Sequence, residues 1–170
     1  MTLTTISILI ATLIYVAYNA VSLAFFGVPH SLSMTYYLWK EKANIGYLFC
    51  VMMYAVVALM MPSWITMSEG SNFQFLAFLA PAAISFVATA PAFMSSSLEN
   101  KVHCWSAVIA AVCSVLWVVL VTPYWWIALS CLAIVAVVAM VTKSYRHAYI
   151  YWLETAAFIA TFISALLYSM

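Results

Sequence analysis

Charge, glycine and aspartate are all scarce in this chain. Only 5% of its 170 residues are charged, and aspartate is absent. Without aspartate, the paired carboxylates of an aspartyl protease cannot form. The three glycines, Gly27, Gly46 and Gly70, lie at the ends of apolar stretches or between them, which excludes a glycine-rich phosphate loop and argues against glycine-broken transport helices. The few Lys and Arg residues form no tract, which excludes nucleic acid as a partner.

Apolar residues dominate what is present. They make up 69% of the chain, and the mean hydropathy is +1.14. Such values are typical of integral membrane proteins, and 170 residues supply six spans of about 20 residues with little left over. We therefore predict an all-α integral membrane protein in the cell (inner) membrane. It has a single domain over residues 1–170, a compact bundle of six transmembrane helices.

Prolines and short polar stretches divide the chain into the six predicted spans. The longest connection, between the first two spans, mixes aromatic and charged residues and predicts a short helix at the membrane interface, capped by Ser31 or Ser33. Small residues in the third span predict a central helix, and the almost wholly apolar fifth span predicts an outer one. The predicted spans are approximately 5–28, 44–65, 73–94, 103–122, 124–142 and 148–170.

The cations share one side of this pattern. Lys40 and Lys42 lie in the first connection, Lys101 in the third, and Lys143 and Arg146 in the fifth. Cytoplasmic loops of membrane proteins carry an excess of Lys and Arg. The odd connections are therefore predicted to face the cytoplasm, with both termini on the non-cytoplasmic side.

Glu154 is the one acidic or basic side chain inside a predicted span. It lies about 10 Å along the helix from His147, between the interface and the midplane. A carboxyl at this depth is costly in lipid and normally faces the bundle interior or a wet cavity. Tyr151 and Thr161 fall near the same helical face. Glu154 could bind a ligand or carry a proton, or it could simply tie the sixth span to a partner helix.

Other spans carry polar residues at helical spacing. Tyr15 and Asn19 align on the first span, and Ser85 and Thr89 on the third. Such groups often only join helices. Taken with Glu154, they predict a cavity between spans one, three, four and six that opens toward the cytoplasmic side. The predicted ligand-binding residues are Glu154, Tyr151, Asn19, Tyr15, Ser85 and Thr89.

The three histidines share the cation side. His30, His103 and His147 lie near span ends, where helices can converge, and Glu99 is close to His103 in sequence. Imidazole and carboxylate groups together could bind zinc or iron. However, no metal-binding spacing such as H-x-x-x-H is present, and histidine is also common at interfaces without a metal.

Three functions are compatible with these features. The first is binding or transport of a small or amphiphilic ligand in an intramembrane cavity. The second is a metal-dependent membrane enzyme with a His/Glu site at the cytoplasmic face, although no catalytic motif identifies one. The third is a non-catalytic assembly subunit. The expected partners are the lipid bilayer, the ligand and, in a homo-oligomer, further copies of the chain.

Overall fold

A computed structural model of the chain describes residues 2–142 and 147–170. Within those residues it contains seven α-helices and no β-strand. The helices are α1 (Leu3–Phe26), α2 (Met34–Ala43), α3 (Tyr47–Met67), α4 (Leu76–Thr89), α5 (Ser97–Val121), α6 (Trp125–Val141) and α7 (Tyr149–Ser169). Each predicted span contains one helix, and α2 is the extra helix predicted in the first connection.

The length and composition of the helices indicate a membrane protein. Helices α1, α3, α5 and α7 are long and apolar enough to cross a bilayer. Helices α4 and α6, with 14 and 17 residues, are shorter. At 1.5 Å per residue they are about 21 and 26 Å long, against about 30 Å of hydrocarbon. Six crossings and the orientation of the termini therefore stay predictions.

Capping residues explain where helix α1 ends and where helix α5 begins. Helix α1 ends at Gly27, whose φ of 68° suits glycine and whose N–H donates to the carbonyl of Leu23. Helix α5 begins at Ser97, six residues before the predicted start at 103, because the Ser96 hydroxyl accepts a bond from the Glu99 N–H. A serine and glutamate three residues apart therefore extend this helix into what was predicted as a connection.

Proline does not end helix α3. The sequence predicts a break near Pro62, but the helix continues through Pro62 to Met67. Proline removes one backbone donor, and neighbouring helices can compensate for that loss inside a bundle. Helix α4 likewise continues through Pro81.

Five helices form a ring. Helix α1 packs on α3, α3 on α4, α4 on α5, α5 on α7, and α7 back on α1. Helix α4 thus lies in the wall of the ring between α3 and α5, whereas its small residues predicted a central position. Helix α6 packs outside, against α7 and α5, and buries only Ala128 and Ala139. The prediction of an outer position for this apolar helix is confirmed.

The described cations lie at one end of the ring. Lys40 and Lys42 are in the last turn of α2, and Lys101 is near the start of α5. A bond from the Met94 N–H to the Tyr37 hydroxyl (2.7 Å) brings α2 close to the connection that precedes α5. We call this end the cation end. Two of the residues used to predict topology, Lys143 and Arg146, lie outside the described residues.

Candidate functional site

The segment that enters α2, residues 30–35, connects several helices at the cation end. We call it the entry segment. The Tyr151 N–H of α7 donates to the carbonyl of His30 (3.1 Å), and the Leu32 N–H donates to the Glu154 carboxylate, also on α7 (2.7 Å). Two bonds therefore fasten the entry segment to the first turns of α7.

The same segment is also bonded to α1. The Thr35 hydroxyl donates to the carbonyl of Leu32 (2.6 Å) and lies 2.7 Å from the hydroxyl of Tyr18 on α1. Both Thr35 and Leu32 are 1% exposed. These contacts bury the start of α2 in the bundle, so it forms part of the ring's inner surface at the cation end.

Inside the ring, an apolar cavity extends from the entry segment toward the opposite end. Its walls come from α3, α4, α5 and α7, and its lining at the cation end includes Leu32, Ser33 and Glu154. It contains about 740 Å³ of empty space with its mouth included. On α3 the lining runs from Met53 to Trp64, roughly 16 Å at 1.5 Å per residue. The cavity is therefore long and narrow.

Glu154 is the one acidic or basic residue among the described residues that line the cavity. It lies in the second turn of α7 and is half-buried. One carboxylate oxygen, Oε2, accepts the bond from Leu32. A carboxylate has two oxygens and accepts several bonds, so Glu154 can also receive a hydrogen bond from a ligand in the cavity.

Three other predicted ligand-binding residues join α1 to α7. The Tyr151 hydroxyl donates to Asn19 Oδ1 (3.1 Å), and Asn19 Nδ2 donates to the carbonyl of Tyr15 (2.9 Å). The ring of Tyr15 stacks on Phe158, with 4.7 Å between centroids, and Phe158 lines the cavity. These side chains support the cavity wall from behind. Helix α1, predicted to line the cavity, contributes none of the described lining residues, and α3 does so instead.

The remaining two predicted residues, Ser85 and Thr89, lie on the outer side of α4. The Thr89 hydroxyl is 2.6 Å from the hydroxyl of Tyr54 on α3. Each also donates back to its own helix, Ser85 to the carbonyl of Pro81 and Thr89 to that of Ser85. Glu154 is thus the one predicted ligand-binding residue that the structure places in the described cavity lining.

The residues predicted to bind metal are divided between two places. The rings of His30 and His147 are 6.1 Å apart at their centroids. Both nitrogens of His103 are bonded elsewhere, and Glu99 contacts the hydroxyl of Ser95. Within residues 2–142 and 147–170, no three His, Cys, Asp or Glu side chains are grouped closely enough to hold a metal ion.

The structure contains a Ser–His contact that the sequence did not predict. Ser33, considered from the sequence only as a helix cap, places its Oγ 2.8 Å from His103 Nε2. The other ring nitrogen, Nδ1, is 2.9 Å from the carbonyl oxygen of Ala90. The two side chains are 70 positions apart, on α5 and the entry segment. No local pattern in the sequence could have paired them.

Two stacked tryptophans lie at the far end of the cavity. Trp64, which lines the cavity, stacks on Trp117 with 5.0 Å between ring centroids. Trp117 Nε1 donates to the Ser68 hydroxyl (2.7 Å). Trp64 is 3% exposed, and its Nε1–H has no acceptor among the described residues. The cavity therefore has a carboxylate toward one end and a tryptophan ring toward the other.

Comparison with protein families, curated proteins and solved structures finds no match to this chain.

Proposed function

We propose that this membrane protein binds a small amphiphile, with the apolar chain in the cavity and the polar head at Glu154. The observation that carries the proposal is a long apolar cavity with a single carboxylate among its described lining residues. Ligand sites are commonly apolar pockets in which a few polar groups orient the ligand. Valines, alanines and phenylalanines of α3, α5 and α7 provide the apolar surface, and its narrow shape suits one hydrocarbon chain.

The chemistry of Glu154 selects the head group. A carboxylate accepts hydrogen bonds and attracts positive charge, and no Lys or Arg is among the described lining residues. An ammonium group would pair with it, and a hydroxyl could donate to it. An anionic head would meet a like charge in a medium of low dielectric, where repulsion is strong. The proposed ligand class is therefore an amphiphilic amine, or an amphiphilic alcohol with weaker binding.

The length of the cavity supports passage of the ligand through the protein as well as binding. Its extent of roughly 16 Å along α3 is about half of a bilayer's hydrocarbon thickness of about 30 Å. A ligand bound at Glu154 would extend its chain toward Trp64. We therefore extend the proposal to transport of the ligand along the cavity, between Glu154 and Trp64.

The test uses three ligands with one chain and different heads: dodecylammonium, dodecanol and laurate. Their binding to the full chain in zwitterionic lipid nanodiscs is measured by calorimetry. We expect affinity to fall in that order, and Glu154→Gln to weaken dodecylammonium binding about 10- to 100-fold, the equivalent of a charged hydrogen bond worth about 1.5–3 kcal/mol.

The matched control is Glu69→Gln, which changes a carboxylate in the turn between α3 and α4, away from the described lining. It should leave binding unchanged. Equal affinity for all three ligands, or full retention of dodecylammonium binding in Glu154→Gln, would refute the head-group assignment.

A further inference from the structure

The contacts of His103 determine which of its nitrogens carries the proton. The carbonyl of Ala90, 2.9 Å from Nδ1, can only accept a hydrogen bond. In the neutral imidazole, Nδ1 therefore carries the proton and donates it to Ala90, which leaves a lone pair on Nε2. Nε2 lies 2.8 Å from Ser33 Oγ, so the serine hydroxyl donates to it. This is the arrangement of a serine with its general base.

The pair is held rigidly beside the cavity. The ring of Phe93 stacks on the imidazole of His103, with 4.5 Å between centroids and 22° between planes. Ser33 and His103 are only 3% and 4% exposed, yet Ser33 is part of the cavity lining. Ser33 therefore borders the cavity, while its base is shielded and stacked on Phe93.

The backbone around Ser33 offers a donor for developing negative charge. The N–H groups of Leu32, Met34 and Thr35 all have acceptors. The N–H of Ser33 itself has none among the described residues. It lies at the start of α2, where the helix dipole favours negative charge. A carbonyl oxygen attacked by Ser33 could receive this bond, as in an oxyanion hole.

We propose that Ser33 is a nucleophile activated by His103, and that it acts on the acyl linkage of an amphiphile held in the cavity. The proposal rests on occupation of the cavity by an amphiphile. The substrate class is a long-chain compound with an ester, thioester or amide bond near its polar head. This adds an acyl-transfer activity to the binding proposed above, and it requires no metal ion.

The reaction balances with water as the co-reactant. Ser33 Oγ bonds to the acyl carbon as its proton passes to His103 Nε2. The bond from the acyl carbon to the leaving heteroatom then breaks, and that atom takes the proton from His103. Water next attacks the Ser33 ester, giving its proton to His103, which returns it to Ser33 Oγ as the ester bond breaks. The products are a carboxylic acid and an alcohol, thiol or amine.

The experiment is labelling of the full chain in nanodiscs with a long-chain alkyl fluorophosphonate, followed by peptide mapping. We expect Ser33 to be modified. We expect His103→Gln to slow that modification by about 10²- to 10⁴-fold, the usual contribution of a general base. Glutamine can retain hydrogen bonds at this position but cannot accept the proton. Ser130→Ala, a change at an exposed serine of α6 outside the described lining, is the matched control and should not alter the rate. Ser114, which also lies in the described lining, serves as the reference serine in the wild-type protein.

A second measurement, on the wild-type protein, tests the proposal even if the His103 variant does not fold. In the wild-type protein, modification of Ser33 should exceed that of Ser114 by about 100-fold or more and disappear after denaturation in SDS. Unmodified Ser33, or modification at an equal rate before and after denaturation, would overturn the proposal and leave the Ser33–His103 bond as a fastening between helices.

The two proposals fail separately. If Ser33 is unreactive but dodecylammonium still binds in a Glu154-dependent way, only the reaction is lost. If Ser33 is modified but binding does not depend on Glu154, only the head-group assignment is lost.

Discussion

Glu154 should contribute to folding through its bond to the Leu32 N–H, independently of any ligand. The donor is buried, since Leu32 is 1% exposed, and the bond is 2.7 Å long. Glu154→Met keeps a side chain of similar length but leaves that N–H without an acceptor, which typically costs about 1–3 kcal/mol. Glu154→Gln keeps an acceptor oxygen, so only the charged component is lost. We expect the methionine variant to be less stable than the glutamine variant by about 1 kcal/mol or more.

Stability is measured by reversible unfolding with SDS in mixed micelles, with tryptophan fluorescence as the signal. Hydrogen exchange of the peptide containing residues 30–35 gives a local reading, because a bonded buried amide exchanges slowly. Protection of the Leu32 amide should persist in Glu154→Gln and be lost in Glu154→Met. Glu69→Met, in the turn between α3 and α4, serves as the control and should change neither measurement.

Two outcomes would refute this reasoning. Wild-type stability in both Glu154 variants, with unchanged protection of the Leu32 amide, would mean that the bond contributes nothing. Equal and large destabilisation by glutamine and methionine would mean that the carboxylate itself, rather than its acceptor oxygen, stabilises the bundle.

Two further predictions concern the wall of the cavity. Tyr151→Phe should lower the free energy of unfolding by about 0.5–1.5 kcal/mol, and Asn19→Ala by more, because it also removes the bond to the Tyr15 carbonyl. The double variant should lose less than the sum, since both changes remove the Tyr151–Asn19 bond; additive losses in the same SDS assay would contradict this. Ala110→Leu places a larger side chain in the cavity and should weaken dodecylammonium binding about 10-fold or more; unchanged binding, measured by calorimetry with the exposed Ala82→Leu as control, would place the ligand elsewhere.

Several features could be predicted from the residues alone. Each of the six apolar stretches contains a helix, and the mixed aromatic and charged connection contains α2. The exposure of α6 follows from its composition, because a helix with almost no polar side chains loses little by facing lipid. The inward position of Glu154 follows from the cost of a carboxyl in hydrocarbon.

Which helices line the cavity could not be predicted in this way. Ser85 and Thr89 form a polar stripe on α4, but both hydroxyls donate to carbonyls of the same helix, and that of Thr89 also contacts Tyr54 on the outer side. A hydroxyl that can bond to the carbonyl four residues earlier does not need a polar environment, so a stripe of hydroxyls does not identify an inner face. Apolar side chains are equally uninformative in a bilayer, because lipid and neighbouring helices are both apolar.

The sequence by itself determined the membrane class, the helical elements and the inward position of Glu154, because each depends on the free energy of transferring residues between water and lipid. Only the tertiary structure decided that α3 rather than α1 lines the cavity, that the entry segment is fastened to α7 and that Ser33 meets His103. These contacts join residues far apart in the chain, and their formation depends on how the helices rotate and pack against one another, which no local pattern encodes.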